Sequence, residues 1–301
     1  MTALRAPRLE GAIRLGNGRK LGYAEFGPAD GRVILWFHGT PGARRQIPPI
    51  AREAAYEQDL RVIGVERPGI GASTPHVHDS VVGFARDIDQ MTRALGIERF
   101  GVVGLSGGGP YALACAHEMP KRVVTAAVLG GLAPSVGDEA AHGGVSGLTP
   151  RFSPLLRLAR RPMGSIMQGV TRALQPVTAT AIDLFASLMP PGDQRVFADP
   201  LVREMFADDL TRGSRRGMEA MFIDAILFGR HWGFALRDIR VPVRFWHGDS
   251  DNITPLSHGE HMAGLVPDAE LRVRAEEGHL GGFDATHEVF DAILGHWRRR
   301  T

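Results

Sequence analysis

The stretch Gly104-Leu105-Ser106-Gly107-Gly108 decides how this chain is read. It follows an apolar run at 100–103 and precedes a helix-like run at 111–117. A serine between glycine-bearing turns, with a strand before it and a helix after it, is a way to hold a hydroxyl out as a nucleophile. The glycines spare the tight turn the clash a side chain would cause. A helix start beside Ser106 leaves N–H groups unpaired where negative charge would develop on a substrate oxygen.

Outward from Ser106 the chain alternates between strand-like and helix-like segments. Residues 21–26 read as an early strand, 27–31 as a turn, and 33–37 as an apolar strand covered on both faces. Residues 44–56 suit a helix, with Pro48-Pro49 near its start or interrupting it, and 60–65 suit another strand. Val81, Phe84, Ile88, Met91 and Leu95 form one helical stripe, stopped by Gly96. Residues 100–105 and 123–129 are further strands. This alternation predicts an α/β fold with a mostly parallel, covered central sheet.

The rhythm breaks at Gly130. Residues 133–234 carry glycines, prolines and helix-like runs, clearest at 179–189 and 218–228, with no strong β-run. They are expected to form a helical cap over the sheet edge that bears Ser106. The core then comprises 1–132 and 235–301, with strands at 243–246 and 270–273 and helices at 258–265 and 285–299.

A serine hydroxyl needs a base, and the base needs an orienting acid. In sheet enzymes with this elbow the order is serine, acid, histidine. Asp251 follows the strand at 243–246 in His247-Gly248-Asp249-Ser250-Asp251-Asn252, and is the orienting acid in this reading. Asp249 is its local competitor, with turn capping as the other role. His279 follows a glycine in the loop after the next strand and is the general base. His247 reads as a structural partner; His258, His261, His287 and His296 read as surface or packing residues, and none completes a metal set. In His38-Gly39-Thr40-Pro41-Gly42, Pro41 lacks an N–H, so Thr40 is the second oxyanion donor beside Gly107.

Composition fits such an enzyme. The 301 residues carry 35 basic and 33 acidic side chains, and the short Arg298-Arg299-Arg300 cluster suits a solvated helix end. Nucleic-acid binding is therefore not expected. Cys115, the sole cysteine, excludes an intrachain disulfide and suits a small buried side chain. The first ten residues hold no signal-peptide core, and no run approaches the ~20 apolar residues of a bilayer span. A cytoplasmic monomer or homodimer is the expectation.

These motifs resemble the α/β-hydrolase superfamily, specifically its capped serine hydrolase group with a His-Gly-x-Pro-Gly loop. The resemblance rests on residues 38–42, Arg67-Pro68-Gly69-Ile70-Gly71-Ala72-Ser73, the elbow, Asp251 with Pro255, and Gly278-His279. It implies Ser106 as nucleophile, Asp251 as acid, His279 as base, and no cofactor or metal. Glu66 stands where many relatives have aspartate. Ser106 argues against epoxide and carbon–halogen hydrolysis, for which relatives use aspartate at the elbow. The expected reaction is hydrolysis of a small to medium apolar ester, with water as co-substrate. Carbon–carbon (β-diketone type), thioester, amide or peptide cleavage are alternatives on the same triad, and a noncatalytic ligand-binding protein is the rival from another class. Phe185, Met189, Met218, Phe222, Ile226 and Phe228 are candidates for the pocket wall or, for most of them, the cap's own core.

Overall fold

The structure is a computed structural model that describes residues 3–141, 143, 149–173, 178–216 and 218–299. Arg300 of the C-terminal cluster lies outside the described residues. Eight strands form one sheet in the order β1-β2-β4-β3-β5-β6-β7-β8. They are β1 (Leu9–Arg14), β2 (Lys20–Phe26), β3 (Arg32–Phe37), β4 (Leu60–Val65), β5 (Phe100–Leu105), β6 (Val123–Leu129), β7 (Val243–Gly248) and β8 (Ala269–Arg274). The β1–β2 and β2–β4 pairs are antiparallel, and all others are parallel.

The central strands are apolar on both faces because helices cover both. One face packs Leu35, Phe37, Val102, Val128 and Phe245 against α2 (Val82–Ala94), α3 (Gly109–Glu118) and α9 (Leu256–Leu265). The other packs Ile34, Trp36, Val103, Leu129 and Trp246 against α1 (Pro49–Glu57) and α10 (Thr286–Arg299). Trp36 and Trp246 are fully buried, and each is worth about 3–5 kcal/mol against alanine. Gly96 closes α2 with φ of 67°.

The structure adds one strand and shortens one helix. Strand β1 was not anticipated. It is an edge strand whose residues are all at least partly exposed, so its sequence lacks an apolar run. The helix expected over 44–56 begins only at Pro49. Pro48 is extended (ψ 145°) before a proline that fits the first helical turn, and Arg44 and Arg45 turn to ion-pair with Glu10.

Between β6 and β7 the described residues form the helices α4 (Thr149–Ala173), α5 (Thr178–Ser187), α6 (Pro191–Ala198), α7 (Pro200–Gly213) and α8 (Glu219–Phe228). Ala186, Val196, Phe197, Val202 and Met205 from α5, α6 and α7 join the same apolar cluster as Leu105 and Leu280. This part of the insertion therefore packs over the carboxyl edge of the sheet. No described helix is long and apolar enough to cross a membrane.

Candidate active site

Strand β5 ends at Leu105, extended, and the chain reverses at once through a 3-10 turn (Ser106–Gly108) into α3. Ser106 has φ of 51°, a left-handed conformation that costs an L-residue about 1–2 kcal/mol. The surrounding backbone enforces it. A Cβ on Gly104 would lie 2.5 Å from the Gly108 carbonyl oxygen, and one on Gly108 would lie 2.1 Å from that of Phe37. Strain of this kind, held by close packing, is characteristic of functional turns.

Because β5, β7 and β8 are parallel, the loops that follow them emerge on one edge. His279 Nδ1 lies 2.7 Å from Asp251 Oδ2. An ionised carboxylate only accepts, so Nδ1 is the donor and Nε2 is left facing away from Asp251. Asp251 Oδ1 accepts the Ile253 and Thr254 N–H groups, each at 2.9 Å. Thr254 Oγ1 stands 3.0 Å from Asp251 Oδ2 and 2.9 Å from the Gly130 carbonyl oxygen, one hydroxyl proton between two acceptors. Burial alone would raise the Asp251 carboxyl. Hydrogen bonds from His247 and His279, with the charge of His279 and the Thr254 N–H, outweigh it and hold the group well below the usual carboxylate range. His247 Nε2 donates to the Thr254 carbonyl at 2.7 Å and fixes this loop, as a structural partner. Asp249 instead caps the neighbouring turn by accepting the Glu276 N–H at 2.9 Å.

The loop after β3 lies against the elbow. A Cβ built on Gly107 would fall 2.4 Å from Thr40 Oγ1. Gln46 spans this loop, accepting from the Gly39 N–H at 2.6 Å and donating to the Pro41 carbonyl at 3.0 Å. The Ala43 N–H goes to Asp209. The Gly39 and Ala43 donors are thus engaged, whereas the Thr40 N–H bonds to no described residue. His38 is buried and held neutral, first by that burial and then by the neighbouring Arg67 guanidinium.

Ser106, Thr40 and His279 line one cavity of about 400 Å³. The Ser106 hydroxyl makes no hydrogen bond to a described residue, so it and the His279 ring share the cavity without being joined. Apo sites often tighten only when substrate arrives. Phe185, Met189, Phe197, Phe206 and Leu210 from the insertion face Ile253 and Leu280 from the core. Phe185, Phe197 and Phe206 form a run of aromatic contacts that continues to Phe283, stacked on Phe206 at 6.3 Å. Of the six apolar candidates, Phe185 and Met189 line this cavity. Phe222, Ile226 and Phe228 are buried without lining it; the Phe228 ring lies against Gly107 and joins the apolar cluster around α3, because α8 packs between α4 and the core. Met218 borders a separate small void.

Residues 32–286 match the family model described as the alpha/beta hydrolase fold. The chain belongs to the α/β-hydrolase family. It is 26% identical over 252 residues to a poly(3-hydroxyalkanoate) depolymerase of Ectopseudomonas oleovorans, covering 82% of this chain and 77% of that protein. It is also 26% identical over 263 residues to a 2-hydroxy-6-oxononadienedioate/2-hydroxy-6-oxononatrienedioate hydrolase of Comamonas testosteroni, covering 83% and 82%. An esterase from Exiguobacterium antarcticum shares the fold with a TM-score of 0.66 at 18% identity, covering 96% of this chain and 99% of that one. This α/β hydrolase is accordingly a hydrolytic enzyme with an eight-stranded, mostly parallel sheet.

Three aspartates around the site escaped sequence reasoning: Asp193, Asp209 and Asp224, all buried and all in the insertion. Only one left a local trace. Asp224 is a lone charge in the apolar run Met221-Phe222-Ile223-Asp224-Ala225-Ile226-Leu227, where an unpaired carboxylate would be costly.

Proposed function

We propose that this α/β hydrolase is a serine carboxylic ester hydrolase of the capped group, acting through an acyl-enzyme on a small to medium apolar ester. Residues 133–234 act as its cap, and 1–132 with 235–301 as its core. Ser106 Oγ attacks the acyl carbonyl while His279 Nε2 takes its proton. Asp251 fixes the tautomer and stabilises the imidazolium. The Thr40 and Gly107 N–H groups, one from the loop and one from the open start of a helical turn, bind the oxyanion. His279 then protonates the leaving alcohol. Water, deprotonated by the same ring, attacks the acyl-enzyme and releases the acid and free Ser106. The setting proposed is cytoplasmic.

The observation that carries this reading is the cavity wall. Its volume of about 400 Å³ lies toward the lower end for small-molecule sites. Apart from His279, its sole ionisable side chain among the described lining residues is Asp209, with no lysine or arginine. A neutral, apolar acyl group fits such a wall. The dioate named for the Comamonas relative would bring two negative charges to it without a cationic partner.

The test is a fluorophosphonate probe followed by a panel of neutral p-nitrophenyl esters, amides and dienoate β-diketones. Ser106 should be labelled, short and medium esters should be preferred, and Ser106→Ala should lose at least roughly 10³-fold in kcat. Absence of labelling together with absence of turnover of any activated ester refutes the proposal. Preferential cleavage of the diketones would move the assignment to carbon–carbon hydrolysis.

A further inference from the structure

Helices α6, α7 and α8 each send one buried carboxylate into a loop that follows a core strand. Asp193, in the first turn of α6, accepts the His279 N–H at 2.9 Å and the Leu280 N–H at 2.7 Å. Asp209 of α7 accepts the Ala43 N–H at 2.7 Å and the Arg45 N–H at 3.1 Å. Asp224 of α8 accepts the Thr40 hydroxyl at 2.8 Å and the Tyr111 hydroxyl at 2.8 Å, and pairs with Arg67 at 2.6 Å. Buried carboxylates are expensive to fold around. Finding one per helix, each on the same set of loops, calls for a reason beyond cohesion.

Peptide geometry supplies that reason. Arg67, gripped by Asp224, donates through Nη1 to the His38 carbonyl at 2.6 Å and through Nη2 to the Gly39 carbonyl at 2.9 Å. The Gly39 carbonyl and the Thr40 N–H belong to one planar peptide unit. In a trans peptide they point in opposite directions, so holding the carbonyl on Arg67 turns the N–H away from it. Asp193 acts likewise on the Gly278–His279 peptide and so fixes where the His279 side chain starts. The fit there is close: a Cβ on Gly278 would lie 2.4 Å from Asp193 Oδ2, and one on Gly192 would lie 2.7 Å from the Glu276 carbonyl oxygen. Arg195 closes the outer side, donating to the same Glu276 carbonyl at 3.0 Å.

We propose that the insertion is a working part of the catalytic site, with Asp193 positioning the general base and Asp224, through Arg67, positioning the Thr40 oxyanion donor. This rests on the ester-hydrolase reading above. Asp193 also adds a second negative charge near His279, beside that of Asp251. The groups facing the His279 loop are Asp193, Arg195, Glu276, Glu277, Asp251, Thr254 and His247. Removing the Asp193 charge therefore destabilises the imidazolium and lowers the pH at which the base becomes active.

The experiment measures kcat, KM and the pH profile of kcat/KM with a p-nitrophenyl ester for Asp193→Asn, Asp224→Asn and the exposed control Asp183→Asn, with folding checked by circular dichroism. Both buried variants should lose about 10²-fold in kcat with KM within about threefold, as for a misplacement of roughly 1 Å. The acid limb should move to lower pH in Asp193→Asn alone, and Asp193→Glu, which keeps the charge, should hold the limb near its original place. Asp183→Asn should match the unmutated enzyme. If either buried variant does not fold, the other decides. In the unmutated protein, the His279 and Leu280 amides should exchange with deuterium as slowly as those of β7, and exchange at open-loop rates overturns the proposal whatever the variants do. Folded variants with kcat within threefold and an unmoved acid limb overturn it too. An unmutated enzyme inert to fluorophosphonate and esters defeats the ester-hydrolase reading, and this proposal with it. An active one with undisturbed variants defeats this proposal alone.

Discussion

Asp251→Asn is the most discriminating substitution at this site, because the loop dictates which way the new amide points. Asp251 Oδ1 accepts two backbone N–H groups at 2.9 Å, so the amide oxygen must take that side. The amide NH₂ then occupies the Oδ2 position, 2.7 Å from His279 Nδ1. A donor there requires an unprotonated Nδ1, which moves the ring proton to Nε2 and removes the base that Ser106 needs. Recovering the active tautomer means flipping the amide and leaving the Ile253 and Thr254 N–H groups unsatisfied, at about 1–3 kcal/mol each. The total of about 2–6 kcal/mol corresponds to a loss of roughly 30-fold to roughly 10⁴-fold in kcat at about 1.4 kcal/mol per decade. KM should stay within about threefold. The assay is single-turnover acylation by a p-nitrophenyl ester, with Asp249→Asn as the local comparison, expected to stay within tenfold. An Asp251→Asn enzyme within threefold of the original, or an Asp249→Asn enzyme that suffers the larger loss, refutes the assignment of the acid.

Gly107→Ala would set a methyl carbon 2.4 Å from Thr40 Oγ1, which Asp224 and Arg67 hold in place. The loop must give way, and kcat should fall about 10²–10³-fold, the usual scale for losing an oxyanion donor; steady-state kinetics that agree within threefold count against it. Asp209 is pushed up to about 7, first by burial, although Ala43 and Arg45 donate to it. Its folded pKa lies above the unfolded value of about 3.9, so the folded state holds the proton longer. The stability this contributes is present below about pH 4 and is lost as pH rises through about 7. Urea unfolding at pH 5 and pH 8 should show the advantage of the unmutated protein over Asp209→Asn shrinking with pH, and growth of that advantage contradicts the assignment. Cys115 is fully buried, and burial pushes its thiol far above the usual range. A disulfide reagent should therefore titrate no thiol in the native protein within minutes and one after denaturation.

The sheet was legible where burial is two-sided. Strands β4, β5 and β6 are mostly apolar and almost wholly buried, and their bounds in the sequence and in the structure coincide. The edge strand β1 was hidden because exposure on its rim leaves no apolar run. The loops that bear Ser106, Asp251 and His279 were legible for a local reason, since each directly follows a strand, and parallel strands bring them to one edge. Asp193, Asp209 and Asp224 were not. They reach loops 86, 166 and 184 residues away in the chain, and no spacing encodes a contact made only when insertion and core have packed. The pocket wall was half legible for the same reason, because helical apolar spacing on α8 is satisfied by α4 and the core as readily as by a ligand.

The order of strands across the sheet has a consequence for biosynthesis. Ser106 leaves the ribosome with β5, whereas β7 and β8, whose following loops carry Asp251 and His279, are made only after the whole helical insertion. A nascent chain therefore displays the strained serine turn before the His279 ring has emerged. Under the proposed ester-hydrolase reading, hydrolytic power would switch on only once β8 and the loop after it have joined the sheet.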